Sequence, residues 1–290
     1  IPQVQQYLTS RPDMKSSSAK KQMNQAMALG SRPITRRTIP GLGIGGFDGW
    51  FTGTTGVTTV SNAVSEWKNL VPGGVDLLQS TANLRPALTT INGLTALAPD
   101  GASGRGAATD VLTDGDLLDD IGTGDFYIGI VMSIDAFGTG PNIIQKGGTW
   151  TLFIGDSANK RLQLTKSGPG AIITTDNDSF ADTDETFFVE VVRTGTDLIV
   201  YKNGTNIKQV TDSTDLDAAG TLSFGRVDCK VGEFICRKGT VKDKQRQIIE
   251  ALMARKWNIG FAPTQSQIRS RSGIGILPAG NRFRNKIPRF

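Results

Sequence analysis

The 290-residue chain contains no histidine. That removes Ser-His-Asp and Cys-His catalysis, histidine-ligated zinc and the usual proton shuttle near neutral pH. Its two cysteines, Cys229 and Cys236, are too few for a disulfide framework. The fold must therefore stand on its core, with a single Cys229–Cys236 bridge left open. No apolar run approaches the roughly 18 residues of a membrane span, and no membrane partner is expected. The start, Ile1 followed by Gln3, Gln5 and Gln6, shows no secretory-signal pattern. An initial Ile fits either proteolytic maturation or a removed Met. Apolar residues are also scarce, at 38% against 35 glycines. This suits many turns around a modest core.

What is present is segregated charge. Residues 1–40 hold Arg11, Lys15, Lys20, Lys21, Arg32, Arg36 and Arg37 against Asp13, a net +6. Residues 260–290 hold Arg269, Arg271, Arg282, Arg284, Lys286 and Arg289 with no acid, again +6. With a chain total of +5, the part between them carries −7. An acidic body thus bears a basic arm at each end. A short helix over Ser17–Leu29 is expected in the first arm, since Ala19, Met23, Ala26 and Met27 share a face and Gly30 suits a C-terminal cap. The second arm is Ser-, Gly-, Arg- and Pro-rich and has no period. Alone, neither arm has the apolar content to fold.

The body reads as short strands. Phe126, Ile128, Ile130, Met132 and Ile134 alternate with Tyr127, Gly129, Val131 and Ser133. Trp150–Ile154, Arg161–Thr165, Ala171–Thr174, Thr221–Gly225 and Val231–Arg237 are further strand candidates between Gly, Asn and Pro turns. Leu198 and Val200 face one way, Ile199 and Tyr201 the other, before Lys202-Asn203-Gly204-Thr205. Asn-Gly suits a two-residue type I′ hairpin, whose central residues both need positive φ. A closing helix is expected from Thr240, as cap, to Trp257, burying Ile248, Ile249, Leu252 and Trp257 and ending at Gly260.

In this order the elements resemble the concanavalin A-like, laminin G-like jelly roll found in many secreted and tailed-bacteriophage virion proteins. The resemblance rests on Phe47-Asp48-Gly49-Trp50-Phe51, Val64-Ser65-Glu66-Trp67-Lys68-Asn69-Leu70, Arg85-Pro86, the Phe126–Ile134 strand and the Tyr201-Lys202-Asn203-Gly204 hairpin. Phe224-Gly225, Gly232-Glu233-Phe234-Ile235 and the helix ending in Lys256-Trp257 complete it. It implies a mainly β antiparallel jelly-roll sandwich over 45–259, with a C-terminal capping helix and extended basic arms over 1–44 and 260–290. It speaks to fold far more than to function, because the family includes lectins, hydrolases and structural domains.

Several motifs compete with simpler readings. Gly41-Leu42-Gly43-Ile44-Gly45-Gly46 satisfies G-x-G-x-x-G, but Pro40 precedes it and an aromatic run follows, so a flexible joint is expected rather than a dinucleotide site. Ser17-x-x-Lys20 and Ser18-x-x-Lys21 lack the partner motifs of serine acyl-enzymes. Asp114-Gly115-Asp116-Leu117-Leu118-Asp119-Asp120 resembles the acidic strand of jelly-roll glycosidases, but its short Asp residues and Gly115 favour an acidic surface loop. Asp176, Asp178, Asp182, Asp184 and Glu185 form a loop that fits either a solvated turn or a calcium or glycan rim. Asn177-Asp178-Ser179 and Asn203-Gly204-Thr205 match glycosylation acceptors. Trp150 and Tyr201 suit the core, or a stacking face for sugar.

The arms matter most for function. Basic extended chain can neutralise phosphates or lie on an acidic protein surface. Few aromatics (Tyr7, Phe283, Phe290) interleave with the charges, which weakens a nucleic-acid reading. The expectation is a non-enzymatic structural virion protein without a cofactor, cementing or decorating a capsid, whose arms clamp other virion proteins and copies of itself. The alternative is a tail- or fibre-associated receptor-binding module that recognises a surface glycan.

Overall fold

The computed structural model describes residues 46–99, 111–114, 117–135, 137, 142–154, 158–180, 183, 185–225 and 229–260. The predicted Ser17–Leu29 helix, the Gly41–Gly45 stretch and every arm cation named above lie outside the described residues. Within them the chain forms seventeen strands and one α-helix. The strands are β1 Gly49–Thr52, β2 Val57–Val60, β3 Ala63–Trp67, β4 Leu77–Leu78, β5 Ala87–Ile91, β6 Leu94–Ala98, β7 Val111–Asp114, β8 Phe126–Ile134 and β9 Asn142–Lys146. They continue as β10 Trp150–Ile154, β11 Leu162–Lys166, β12 Gly170–Thr174, β13 Thr186–Thr194, β14 Asp197–Lys202, β15 Thr205–Thr211, β16 Leu222–Gly225 and β17 Cys229–Lys238. The helix, α1, is Asp243–Trp257.

Every strand pair is antiparallel, and the pairs sort into two layers. One layer runs β1-β17-β8-β13-β14-β15. The other runs β2-β3-β4-β7-β16-β9-β10-β11-β12. The β5–β6 hairpin joins them by single-residue pairings to β3 and β17. This is the mainly β sandwich the sequence predicts.

The alternation on β8 explains the layering. Phe126, Ile128, Ile130, Met132 and Ile134 enter the core between the layers. Tyr127 and Val131 point the opposite way, into a second cluster beneath α1. All nine β8 residues are therefore buried, which is why the strand reads as nearly continuous apolar sequence. β14 behaves alike, with Leu198 and Val200 between the layers and Tyr201 on the helix side. The turn after it has Asn203 at φ +50° and Gly204 at φ +76°, the geometry of a type I′ hairpin. Asn203 does more than turn the chain: its Oδ1 accepts the Phe188 N–H at 2.8 Å, tying the hairpin to β13.

The helix departs from its sequence reading in three ways. Its buried stripe is Arg246, Ile249, Glu250, Met253 and Trp257. Ile248 stays exposed and Leu252 is only partly buried. Two charged residues, Arg246 and Glu250, thus share the buried face with Ile249, Met253 and Trp257, while Ile248 and Leu252 of the expected stripe lie off it. Thr240 does not cap the helix, since its hydroxyl donates to Asp125. The N-cap is Lys242, whose N–H donates to Gln245 Oε1 at 3.1 Å. The chain leaves the helix through Asn258 in the left-handed region at φ +52°, two residues before the expected Gly260. The expected acidic surface loop at 114–120 also differs. Asp114 ends β7, and Leu117, Leu118 and Ile121 are buried in the core.

Candidate functional site

The residues chosen from sequence do not converge. In the acidic loop, Asp182 and Asp184 lie outside the described residues. Asp176 is paired with Lys208 at 2.9 Å, and Glu185 with Lys202 at 2.8 Å. Asp178 sits in a turn at φ +59°, its N–H donating to the Asn159 carbonyl. Among the described residues, no three acidic, cysteine or histidine side chains gather as a metal would require. In the Asp114–Asp120 stretch, residue 116 and the Asp114 side chain lie outside the described residues. Asp119 forms an ion pair with the fully buried Lys146. Cys229 and Cys236 are buried and are not bridged to each other.

Nor do Trp150 and Tyr201 make a sugar platform. Trp150 is 1% exposed, within the inter-layer core. The ring of Tyr201 is covered by the Arg246 guanidinium, 3.8 Å from its centroid. The exposed large apolar side chains of the described residues are Val60, Val75, Leu78, Leu88 and Ile248, none of them aromatic.

The buried charges hold the helix on the sheet. Glu233 on β17, fully buried, accepts from Trp50 Nε1, from Lys256 Nζ at 2.7 Å and from Trp257 Nε1 at 2.9 Å. The Lys256-Trp257 pair of the resemblance therefore has a structural task, gripping a carboxylate of the sheet. Higher on the helix, Arg246 pairs with Glu250 and lies 3.7 Å from Glu190 on β13. Tyr127 donates its hydroxyl to Glu190 at 2.8 Å. Two buried carboxylates share one guanidinium. Burial, followed by the Glu250 charge, pushes the Glu190 carboxyl well above its ordinary value. Burial likewise raises the Tyr127 phenol, with Glu190 adding to it. This network lies between helix and sheet, with Glu190 fully buried and Glu250 only 2% exposed, which suits docking rather than turnover.

A pocket of about 130 Å³ opens elsewhere, where the chain enters β1, the β3–β4 turn, the segment after β7 and the end of β17 meet. Asp48 and Lys238 bring opposite charges to it, and Pro72, Gly73 and Gly74 bring backbone. Phe47, Leu117 and Leu118 line it from the buried side. Its architecture hangs on Asn69. The Asn69 Oδ1 accepts the N–H groups of Trp50 and Val71, each at 3.0 Å, and its Nδ2 donates to the Asp48 carbonyl at 2.9 Å. Its own N–H donates to Asp76 Oδ1 at 2.7 Å. A Cβ on Gly74 would fall 2.2 Å from Asn69 Nδ2, so only glycine fits this turn. The Asp48 carboxylate accepts the Lys238 N–H at 2.5 Å, fixing the β1 entry against the end of β17. Leu118 is held at φ +62°, a costly conformation for a bulky residue. Sequence reasoning missed this pocket. Its one local signal is the Pro72-Gly73-Gly74 turn, whereas Asp48 and Lys238 stand 190 positions apart.

No family model matches the chain, and no curated protein matches it. Among solved structures it is similar to the receptor-binding domain of botulinum neurotoxin D, at 15% identity over 68% of this chain and 52% of that one, with a TM-score of 0.49. It is similar to a botulinum neurotoxin type C structure whose cell entry is described as dependent upon two ganglioside molecules, at 12% identity, 66% and 51% coverage and a TM-score of 0.45. A Trypanosoma rangeli sialidase aligns at 10% identity over 81% of this chain and 38% of its own, with a TM-score of 0.44. This chain spans about half the length of the two neurotoxin chains and less of the sialidase. None of the three is a virion protein, and none reaches a TM-score of 0.5.

Proposed function

We propose that this chain is a non-enzymatic attachment protein of a larger assembly, its sandwich serving recognition of a surface carbohydrate and its basic arms fastening it in place. The observation that carries this reading is the self-sufficiency of the body. Among the described residues, its inter-layer core and the α1-covered sheet face form two extensive buried apolar clusters. Its buried cations and carboxylates are engaged in holding α1 and the loops. The two terminal charges of +6 oppose the −7 of the part between them, so in this reading the arms engage acidic surfaces of neighbours. Arginine-carboxylate pairing and strand addition are the contacts such arms make.

The assembly in this reading is a tailed-phage virion, the setting of the proteins that the jelly-roll motifs resemble. A second reading, a capsid cement or decoration protein, is favoured by the same charge segregation, because arms at both ends let one subunit tie several neighbours. Copy number separates the two. Quantitative mass spectrometry of purified particles should find a handful to a few tens of copies for an attachment protein at the tail or a fibre. Hundreds would mean a cementing protein, and none above background would end the virion setting.

A further inference from the structure

We propose that the outer edge of β2 takes residues 274–277 of a neighbouring copy's C-terminal arm as an added strand, an inference that rests on the attachment reading above and names a partner for that arm. Among the described residues β2 pairs with β3 alone. Two hydrogen bonds fix which of its backbone groups face outward. The Gly56 carbonyl accepts the Lys68 N–H at 2.7 Å, so residue 56 turns toward β3 and Val57, next along, turns away. The Val64 N–H donates to the Pro86 carbonyl at 2.7 Å, away from β2, so Thr59 opposite it also turns its backbone outward. The register shift between these strands puts its extra residue, Ser65, on β3, and β2 itself stays regular. Val57 and Thr59 thus each offer a donor and an acceptor along the edge.

Natural edge strands are commonly guarded by charge or proline, and this one has neither. Residues 49–65 contain no charged residue and no proline. Thr58, Thr59 and Val60 are exposed, Val60 by 49%, which leaves the edge of the isolated chain open to a second copy. The C-terminal arm holds a segment that matches. Residues 272–281 are uncharged between Arg271 and Arg282, and Ile274, Ile276 and Leu277 make 274–277 apolar over the same four residues as β2. Gly273 and Gly275 alternate with the isoleucines, so one face of the added strand is bare and can lie close to the body. Pro278 follows and ends the pairing. The arm leaves from a fixed point, since Asn92 holds the Trp257 carbonyl and Ile259 is buried. Fourteen residues lead from Gly260 to Ile274. Extended, they span about 46 Å, enough to pass from one body to the next.

The test uses full-length chains. A tagged chain carrying Thr59→Cys is mixed with an untagged chain carrying Ile276→Cys and treated with a short bis-maleimide cross-linker. The expected product joins one tagged and one untagged chain, about tenfold or more above a mixture with Ile268→Cys in place of Ile276→Cys. Ile274→Asp, added to the untagged chain, charges the segment without touching the body and should lower the yield by a similar factor. A yield no higher than the Ile268→Cys control, or one that Ile274→Asp leaves unchanged, would overturn the added strand. A product of two tagged chains alone would mean that the edges of two bodies pair, which overturns the arm as occupant. Internal cross-linking of a chain carrying both cysteines, with no mixed product, would assign the edge to the chain's own arm and overturn the second copy. The readout needs purified chain only, so a failure here leaves the particle counts above standing, and a failure there leaves this result standing.

Discussion

Glu190 is the residue where the helix–sheet contact is most finely poised. It is fully buried, hydrogen-bonded by Tyr127 and left sharing Arg246 with Glu250. Its carboxyl is raised by burial first and by Glu250 next. The folded state therefore holds this proton more tightly than the unfolded chain does. The corresponding stability is fully present below the ordinary carboxylate value and is lost as pH rises toward the raised one. Glu190→Gln keeps an acceptor for Tyr127 and leaves Glu250 and Arg246 as a one-to-one pair. Its melting temperature should match the parent at acidic pH and exceed it at pH 7 and above, by about 1–3 kcal/mol of stability. A pH series of paired melts would show this, and a constant offset between the two proteins would contradict it. Arg246→Met strands two buried carboxylates and uncovers Tyr201, and should cost about 3–5 kcal/mol at pH 7 in denaturant titration.

At the scale of elements, α1 sits against β17 more closely than an ordinary side chain allows. A Cβ on Gly232 would lie 2.5 Å from the Trp257 ring, so the helix end approaches bare backbone. Gly232→Ala should overpack this contact and cost about 1–3 kcal/mol, read as a lower midpoint in urea with an unchanged slope. The β5–β6 turn holds the same helix end from the other direction, as Asn92 Nδ2 donates to the Trp257 carbonyl at 2.6 Å. The β14–β15 turn uses asparagine similarly. Asn203→Ala loses both the bond to Phe188 N–H and easy access to positive φ, and should destabilise by about 1–2 kcal/mol. Much of this level was legible beforehand. Asn203-Gly204 announced its hairpin, and Phe126–Ile134 and Trp150–Ile154 were read with the bounds they have. The helix was read in length but not in face. Nothing local marks Arg246 and Glu250 for burial, because Glu190, which Arg246 faces and Tyr127 hydrogen-bonds, lies more than fifty positions away on β13.

For the whole molecule, the division into acidic body and basic arms leads to the simplest test. Removing residues 1–40 or 262–290 should leave the thermal melt of the body within a few degrees of the full chain, because its two apolar clusters are built from residues 47–259. The same truncations should abolish incorporation into particles. A truncated chain that melts far lower would show that the arms serve the core, and unchanged incorporation would remove their fastening role.

By itself the sequence determined a β sandwich, a closing helix, the main hairpin and the separation of charge between body and arms. These are carried by local alternation, by turn residues that tolerate positive φ and by composition, all of which act over a few neighbouring positions. Only the tertiary structure decided which charges are buried, that Lys256 and Trp257 grip Glu233, and that Asp48, Asn69, the Pro72–Gly74 turn and Lys238 assemble a pocket. Those depend on strands from opposite ends of the chain pairing in one register. A change of one residue in that register would turn every side chain to the other face of its layer.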